Sequence, residues 1–166
     1  MHLRISTPWP YDLAVESDGR AIVAAAFVLR RSSTALALRA RSAQDDKLLR
    51  EASAQVRAYF ARRLRRFDLP LALSGPPFAC DVWRCVAGLS FGEIVSYADV
   101  ARAVGRPLAH RGVAMAMART PIDLFIPAHR VIGADGRVKG ARPGSMRMRL
   151  LAFERKGRAL VRGKRP

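Results

Sequence analysis

Cysteine is scarce in this 166-residue chain, which has only Cys80 and Cys85. The two lie five positions apart in what reads as a helix. A helix turns such residues to different faces, which argues against a disulfide between them. Histidine is as scarce, at positions 2, 110 and 129. Two cysteines and three scattered histidines supply no zinc-ligand spacing, so neither a metal nor a cofactor is expected. No apolar run approaches the roughly 18 residues of a membrane span. Arg4, Pro8, Pro10 and Asp12 break up the N-terminal region, leaving no signal-peptide core. The expectation is a cytoplasmic protein with no membrane partner.

Acidic residues are the other shortage: 13 against 30 Lys and Arg, for a formal net charge of +17. A solvated basic surface would account for some of this. An excess so large also suits a polyanion, because Lys and Arg release counterions from phosphates. Residues 1–75 hold 13 basic and 7 acidic side chains, and residues 76–166 hold 17 and 6. The second half is therefore the better candidate for a nucleic-acid face. Arg outnumbers Lys, which suits bidentate phosphate contacts and stacking on bases.

Half of the chain is hydrophobic, enough for a packed core. Residues 1–30 read as short strands: 2–6 alternates, Pro8 and Pro10 punctuate, and 21–29 is an apolar run after the turn signal Asp18-Gly19. Residues 31–44 look like a loop, with a further strand conceivable over 35–40. Residues 45–66 carry a helical pattern in Leu48, Leu49, Ala52, Val56, Tyr59, Phe60 and Leu64. That helix is expected to end in Arg62, Arg63, Arg65 and Arg66, placed there either to cap its C-terminus or to touch a polyanion. A boundary falls near Gly75. Phe78, Val82, Cys85, Val86 and Leu89 then mark a second helix. Ser96 with Asp99 forms a capping box for a third, and Gly105 stops it. Pro107 can open a fourth helix running to Arg119, before Thr120-Pro121. A hairpin is expected over 130–139 around Asp135-Gly136. A last helix covers 145–155, with Gly157 after it. Helix-turn-helix followed by hairpin is the outline of a winged-helix domain.

Between residues 78 and 154 several short motifs follow one another. They are Val82-Trp83, Phe91-Gly92-Glu93, Ser96-Tyr97, Gly105-Arg106-Pro107, the stretch 111–121, Ile126-Pro127-Ala128-His129-Arg130-Val131-Ile132-Gly133, and Leu150-Leu151 with Glu154. In order and spacing they resemble the C-terminal domain of the O6-alkylguanine-DNA alkyltransferase (methylated-DNA–protein-cysteine methyltransferase) family. Tyr59-Phe60, Phe67-Asp68 and Pro70-Leu71 resemble its N-terminal domain, so the similarity covers nearly the whole chain, more loosely before residue 59. The resemblance implies an α+β protein. A ribonuclease-H-like α/β domain would occupy residues 1–75, a winged-helix domain 76–157 and a basic tail 158–166.

In that family a cysteine in a Pro-Cys-His-Arg motif takes the alkyl group from a guanine flipped out of the duplex. The neighbouring histidine, oriented by a glutamate, draws off its proton. Here the motif is Pro127-Ala128-His129-Arg130. An alanine methyl has no lone pair and no ionisable proton, so no catalytic set is intact, although His129 and Glu154 match the relay. Arg111 matches the arginine that fills the gap left by the flipped base, and Tyr97 the tyrosine that helps the flip. Ser96 and Arg119 join them as expected DNA contacts. Pro127, Ala128, His129, Arg130, Val131, Tyr97 and Ala141 are the expected alkylguanine pocket.

Other positions depart from the family pattern. Thr120 stands where asparagine is common, Ala141 where a tyrosine is, and Arg147 where a lysine is, and the loop 142–147 is one residue short. With Ala128 in the acceptor's place, the chain resembles the alkyltransferase-like members, which bind damage without repairing it. The expectation is a monomer that binds duplex DNA carrying O6-alkylguanine, with nucleotide excision repair proteins as candidate partners. Alternatives stay open: an active methyltransferase using Cys80 or Cys85, an engineered Cys→Ala form of such an enzyme, or a general winged-helix DNA-binding protein.

Overall fold

Alternating side chains in the first thirty residues build a sheet. The computed structural model describes residues 1–30, 46–138 and 141–162, with side chains as far as 156. Strands β1 (His2–Ser6), β2 (Tyr11–Ser17) and β3 (Ile22–Leu29) form an antiparallel sheet in the order β1-β2-β3. Leu3 is paired with Val15 and Ala14 with Ala26. The two-residue period turns Leu13 and Val15 inward with Ile5, Ile22 and Ala25. Asp12, also buried, takes an ion pair from Arg30 at 2.9 Å and another from Arg4 at 3.4 Å.

Helix α1 (Lys47–Phe60) starts where the Asp46 carboxylate accepts the backbone N–H groups of Leu48 and Leu49. It buries Leu49, Ala52, Val56 and Tyr59 at steps of three and four, and packs against β1 and β2. It ends at Phe60, short of the 45–66 span expected, so the four arginines follow the helix instead of forming its last turn. The chain leaves it through Arg62 at φ +59°. The edge of β3 gains isolated parallel bridges from Leu71 to Ile22 and from Ile122 to Ala25. One compact unit thus comprises Met1–Leu73 with Pro121–Phe125, and the other Ser74–Thr120 with Ile126–Pro166. The loop read over 31–44 and the strand over 35–40 fall outside the described residues.

The second unit is mainly helical: α2 (Pro77–Ala87), a two-residue β4 (Val95–Ser96), α3 (Tyr97–Ala103), α4 (His110–Ala118), a 3-10 turn (Ala128–Arg130), β5 (Val131–Ile132) and α5 (Met146–Arg162). Helices α2, α3 and α4 pack on one another. The Trp83 indole N–H donates to the Ala116 carbonyl at 2.9 Å across the α2–α4 contact. The capping box at the start of α3 forms as expected, with Ser96 and Asp99 each bonding the other's backbone N–H.

Three features differ from expectation. Helix α4 begins at His110, because Pro107 and Leu108 stay in the connecting turn. The Asp135-Gly136 turn closes, with Gly133 N–H on the Arg137 carbonyl at 2.7 Å, but it joins no hairpin among the described residues. Instead β5 pairs in parallel with β4, Val95 opposite Val131. Helix α5 runs through Gly157 to Arg162. With five helices and two small sheets among the described residues, the class is α+β, as expected.

Candidate functional site

Pro127 leads into the 3-10 turn Ala128–Arg130, which places three consecutive side chains in the interior of the second unit. His129, Arg130 and, from α5, Glu154 are each no more than 2% exposed. Burying a carboxylate is costly unless it is paired and fully hydrogen-bonded, and here it is both. Glu154 Oε1 lies 2.8 Å from His129 Nε2 and accepts Arg130 Nη2 at 2.7 Å. Oε2 accepts Arg130 Nε at 3.0 Å and the Gly92 backbone N–H at 2.8 Å. The guanidinium's other arm donates to the Leu89 carbonyl. Gly92 sits at φ +74°, a left-handed conformation that glycine adopts without strain and that accompanies its N–H bond to the carboxylate.

These contacts set the charges. Burial alone would raise the Glu154 carboxyl, but hydrogen bonds from His129 and Arg130 outweigh it and hold the group far below the usual carboxylate range. Burial lowers the pKa of His129 despite the Glu154 bond, and the charges of Arg130 and Arg147 push the same way. The arrangement is a neutral imidazole hydrogen-bonded to an ionised carboxylate. Such a pair can accept a proton at the other ring nitrogen when a donor is present. Ala128, the preceding side chain, is an almost fully buried methyl group.

The two thiols stand on α2. Cys80 is buried, with its Sγ 3.6 Å from the Gly75 carbonyl, and Cys85 is partly exposed. Burial raises the Cys85 thiol above its ordinary pKa, the reverse of what activates a nucleophile.

The remaining candidates sit on and around α3 and α4. Tyr97 is the first residue of α3 and is buried. The Ser96 hydroxyl is engaged with Asp99 at 2.6 Å as the helix cap. Helix α4 turns Val113, Ala116 and Met117 inward, which leaves Arg111, Met115 and Arg119 on its exposed side at four-residue steps. Leu108, 91% exposed, precedes them in the turn. Val131 is buried in β5 and Ala141 is half-buried. At the end of α4, the Met117 carbonyl accepts both the Thr120 hydroxyl, at 2.9 Å, and the Arg147 guanidinium from α5. Among the described residues, no three His, Cys, Asp or Glu side chains are grouped to hold a metal ion, and no helix is long and apolar enough to cross a membrane.

The sequence pointed to the His129–Glu154 pair but not to the bidentate Arg130–Glu154 contact or the Gly92 N–H. The Phe91-Gly92-Glu93 motif was the only available signal for the latter.

The family model for the 6-O-methylguanine DNA methyltransferase DNA binding domain matches residues 77–156. The methylated-DNA–protein-cysteine methyltransferase of Methanosarcina barkeri is 42% identical over 101 residues, covering 61% of this chain and 64% of that protein. The constitutive enzyme of the same name from Bacillus subtilis is 44% identical over 92 residues, covering 55% and 56%. The matches thus span less than two thirds of these relatives' lengths. Among solved structures, Mycobacterium tuberculosis O6-methylguanine methyltransferase superposes with a TM-score of 0.77 at 31% identity, covering 93% of this chain and 92% of that one. The OGT protein of the same organism, in complex with DNA, superposes at 0.74 and 30% identity, covering 92% and 91%.

Proposed function

Because the chain belongs to the O6-methylguanine DNA methyltransferase family, a DNA-binding alkylguanine repair family, we propose that it recognises O6-alkylguanine in duplex DNA without taking the alkyl group. The observation that carries this is Ala128. It precedes an assembled His129–Glu154–Arg130 network and offers no atom that could be alkylated. The two thiols present are on α2, and the Cys85 thiol is pushed up by burial. His129 and Glu154 then serve as structural partners, with Arg130 neutralising the carboxylate.

In this reading α3 and α4 are the helix-turn-helix of a winged-helix domain, and the first unit is a ribonuclease-H-like domain. Arg111, exposed on α4, enters the base stack to fill the gap left by the flipped nucleotide. Tyr97 assists the flip, and Ser96 and Arg119 lie along the backbone. Pro127, Ala128, His129, Arg130, Val131 and Ala141 surround the base. Unstacking costs a few kcal/mol, offset by the wedge and by phosphate contacts. Alanine at 128, and alanine at 141 in place of tyrosine, leave room for larger O6-alkyl groups. A binder that does not react can stay on the lesion and mark it for excision repair proteins.

The test is intact-protein mass spectrometry after incubation with duplex containing O6-methylguanine. The proposal expects an unmodified protein and unchanged DNA. A methyl group on a peptide carrying Cys80 or Cys85 would show an active transferase with a displaced acceptor.

A further inference from the structure

The arginine cluster after α1 is not used by the site in the second unit. Between residues 52 and 67 the chain carries Arg57, Arg62, Arg63, Arg65 and Arg66 and no acidic residue. Arg63, Arg65 and Arg66 are exposed. Backbone N–H groups already serve the end of α1: Ala61 bonds the Arg57 carbonyl, Arg62 that of Tyr59, and Arg63 and Leu64 both bond Ala58. The turn is held by Arg62 at φ +59°, a conformation that costs a non-glycine residue energy. A tight turn thus fixes the backbone from which the next four residues project three exposed guanidinium groups.

We infer that this turn is a second DNA-contact surface, on the first unit, which binds duplex phosphates without reading base or damage. Its chemistry favours phosphate over a protein partner. Among the described residues the large exposed apolar side chains are Met1, Leu29, Leu108, Met115 and Met148, and none lies in it, so it lacks the apolar anchors on which protein interfaces depend. Guanidinium groups on a fixed turn suit phosphate oxygens, which they can bind with two parallel bonds. The surface rests on the family's DNA binding but not on recognition of alkylguanine.

The experiment is fluorescence anisotropy with a labelled unmodified duplex and a matched O6-methylguanine duplex, from low to physiological salt. It compares the wild-type chain with the triple variant Arg63→Ala, Arg65→Ala, Arg66→Ala. Each phosphate contact contributes about 0.9 to the slope of log K against log salt. If all three arginines bind phosphate, the slope shrinks by about 2.7, and a fourfold rise in salt costs the variant about 40-fold less affinity than it costs the wild type. Both duplexes should lose affinity alike, so their ratio stays at the wild-type value. The triple lysine variant keeps the charge and should restore most of the slope. Single Arg63→Glu and Arg66→Glu variants, each checked by circular dichroism, repeat the test if the triple variant is poorly folded. An unchanged slope in the Ala and Glu variants would overturn the inference. A wild-type chain that binds both duplexes equally would instead sink the alkylguanine proposal and leave this surface standing.

Discussion

Replacing Glu154 with glutamine puts the buried network under its most direct strain. The wild-type carboxylate accepts from His129, from two nitrogens of Arg130 and from the Gly92 N–H. A glutamine has one acceptor oxygen, and its NH2 group must face donors at whichever oxygen position it takes. The Arg130 guanidinium, 2% exposed, then keeps its charge and loses its counter-ion. Breaking a buried pair by removing one partner costs about 3–5 kcal/mol. For a chain of this size that lowers Tm by about 9–15 °C, at roughly 3 °C per kcal/mol. The assay is thermal unfolding followed by far-ultraviolet circular dichroism at neutral pH.

The pH dependence of stability should change with it. Glu154 has its pKa depressed in the folded chain, so its contribution is complete above the unfolded carboxylate value of about 4.3 and is lost as pH falls through the folded value. His129 is also depressed. The unfolded chain therefore takes up a proton as pH falls through about 6.5 while the folded chain resists, so stability declines from there downward. The wild type should lose stability on acidification in both windows, and Glu154→Gln should show a smaller loss in the lower one, where the depressed carboxyls of Asp18 and Asp99 still contribute. A Glu154→Gln protein that melts like the wild type and loses as much stability as the wild type in the lower window would refute this account of the network.

Other expectations follow from single contacts. Ala128→Cys should place a thiol beside the His129–Glu154 pair and acquire stoichiometric methyl transfer, read as a methyl group on the peptide spanning residue 128. Arg111→Ala should weaken binding to alkylated duplex more than to plain duplex, and equal losses by anisotropy would reduce Arg111 to a phosphate contact. Trp83→Phe removes the indole bond to Ala116. It should cost about 1 kcal/mol, visible as a lower urea midpoint.

What the sequence disclosed was mostly local. The steps of Leu49, Ala52, Val56 and Tyr59 located α1, and Ser96 with Asp99 located the start of α3, because periodicity and capping act within a turn or two of chain. The motif around Pro127 brought Ala128 and His129 forward, and the resemblance added Glu154. What stayed hidden depends on distant pairing. Val131 and Ile132 looked like one arm of a hairpin because Asp135-Gly136 follows them, yet their hydrogen-bonding partner is Val95–Ser96. The early end of α1 turns on a left-handed Arg62, which glycine would have announced and arginine did not. The burial of Arg130 is set by a carboxylate 24 residues away on α5, so nothing in its neighbours marked it as an interior ion pair instead of a surface charge.

The measurement that tests the central claim most directly is competition binding at physiological salt. It would use one duplex sequence with guanine, O6-methylguanine or a bulkier O6-alkylguanine at a single position, followed by recovery of the DNA. A recogniser that does not react binds the alkylated duplexes in clear preference to the plain one and returns them unchanged. Equal affinity for all three, or alkylated DNA recovered as ordinary guanine, would contradict it.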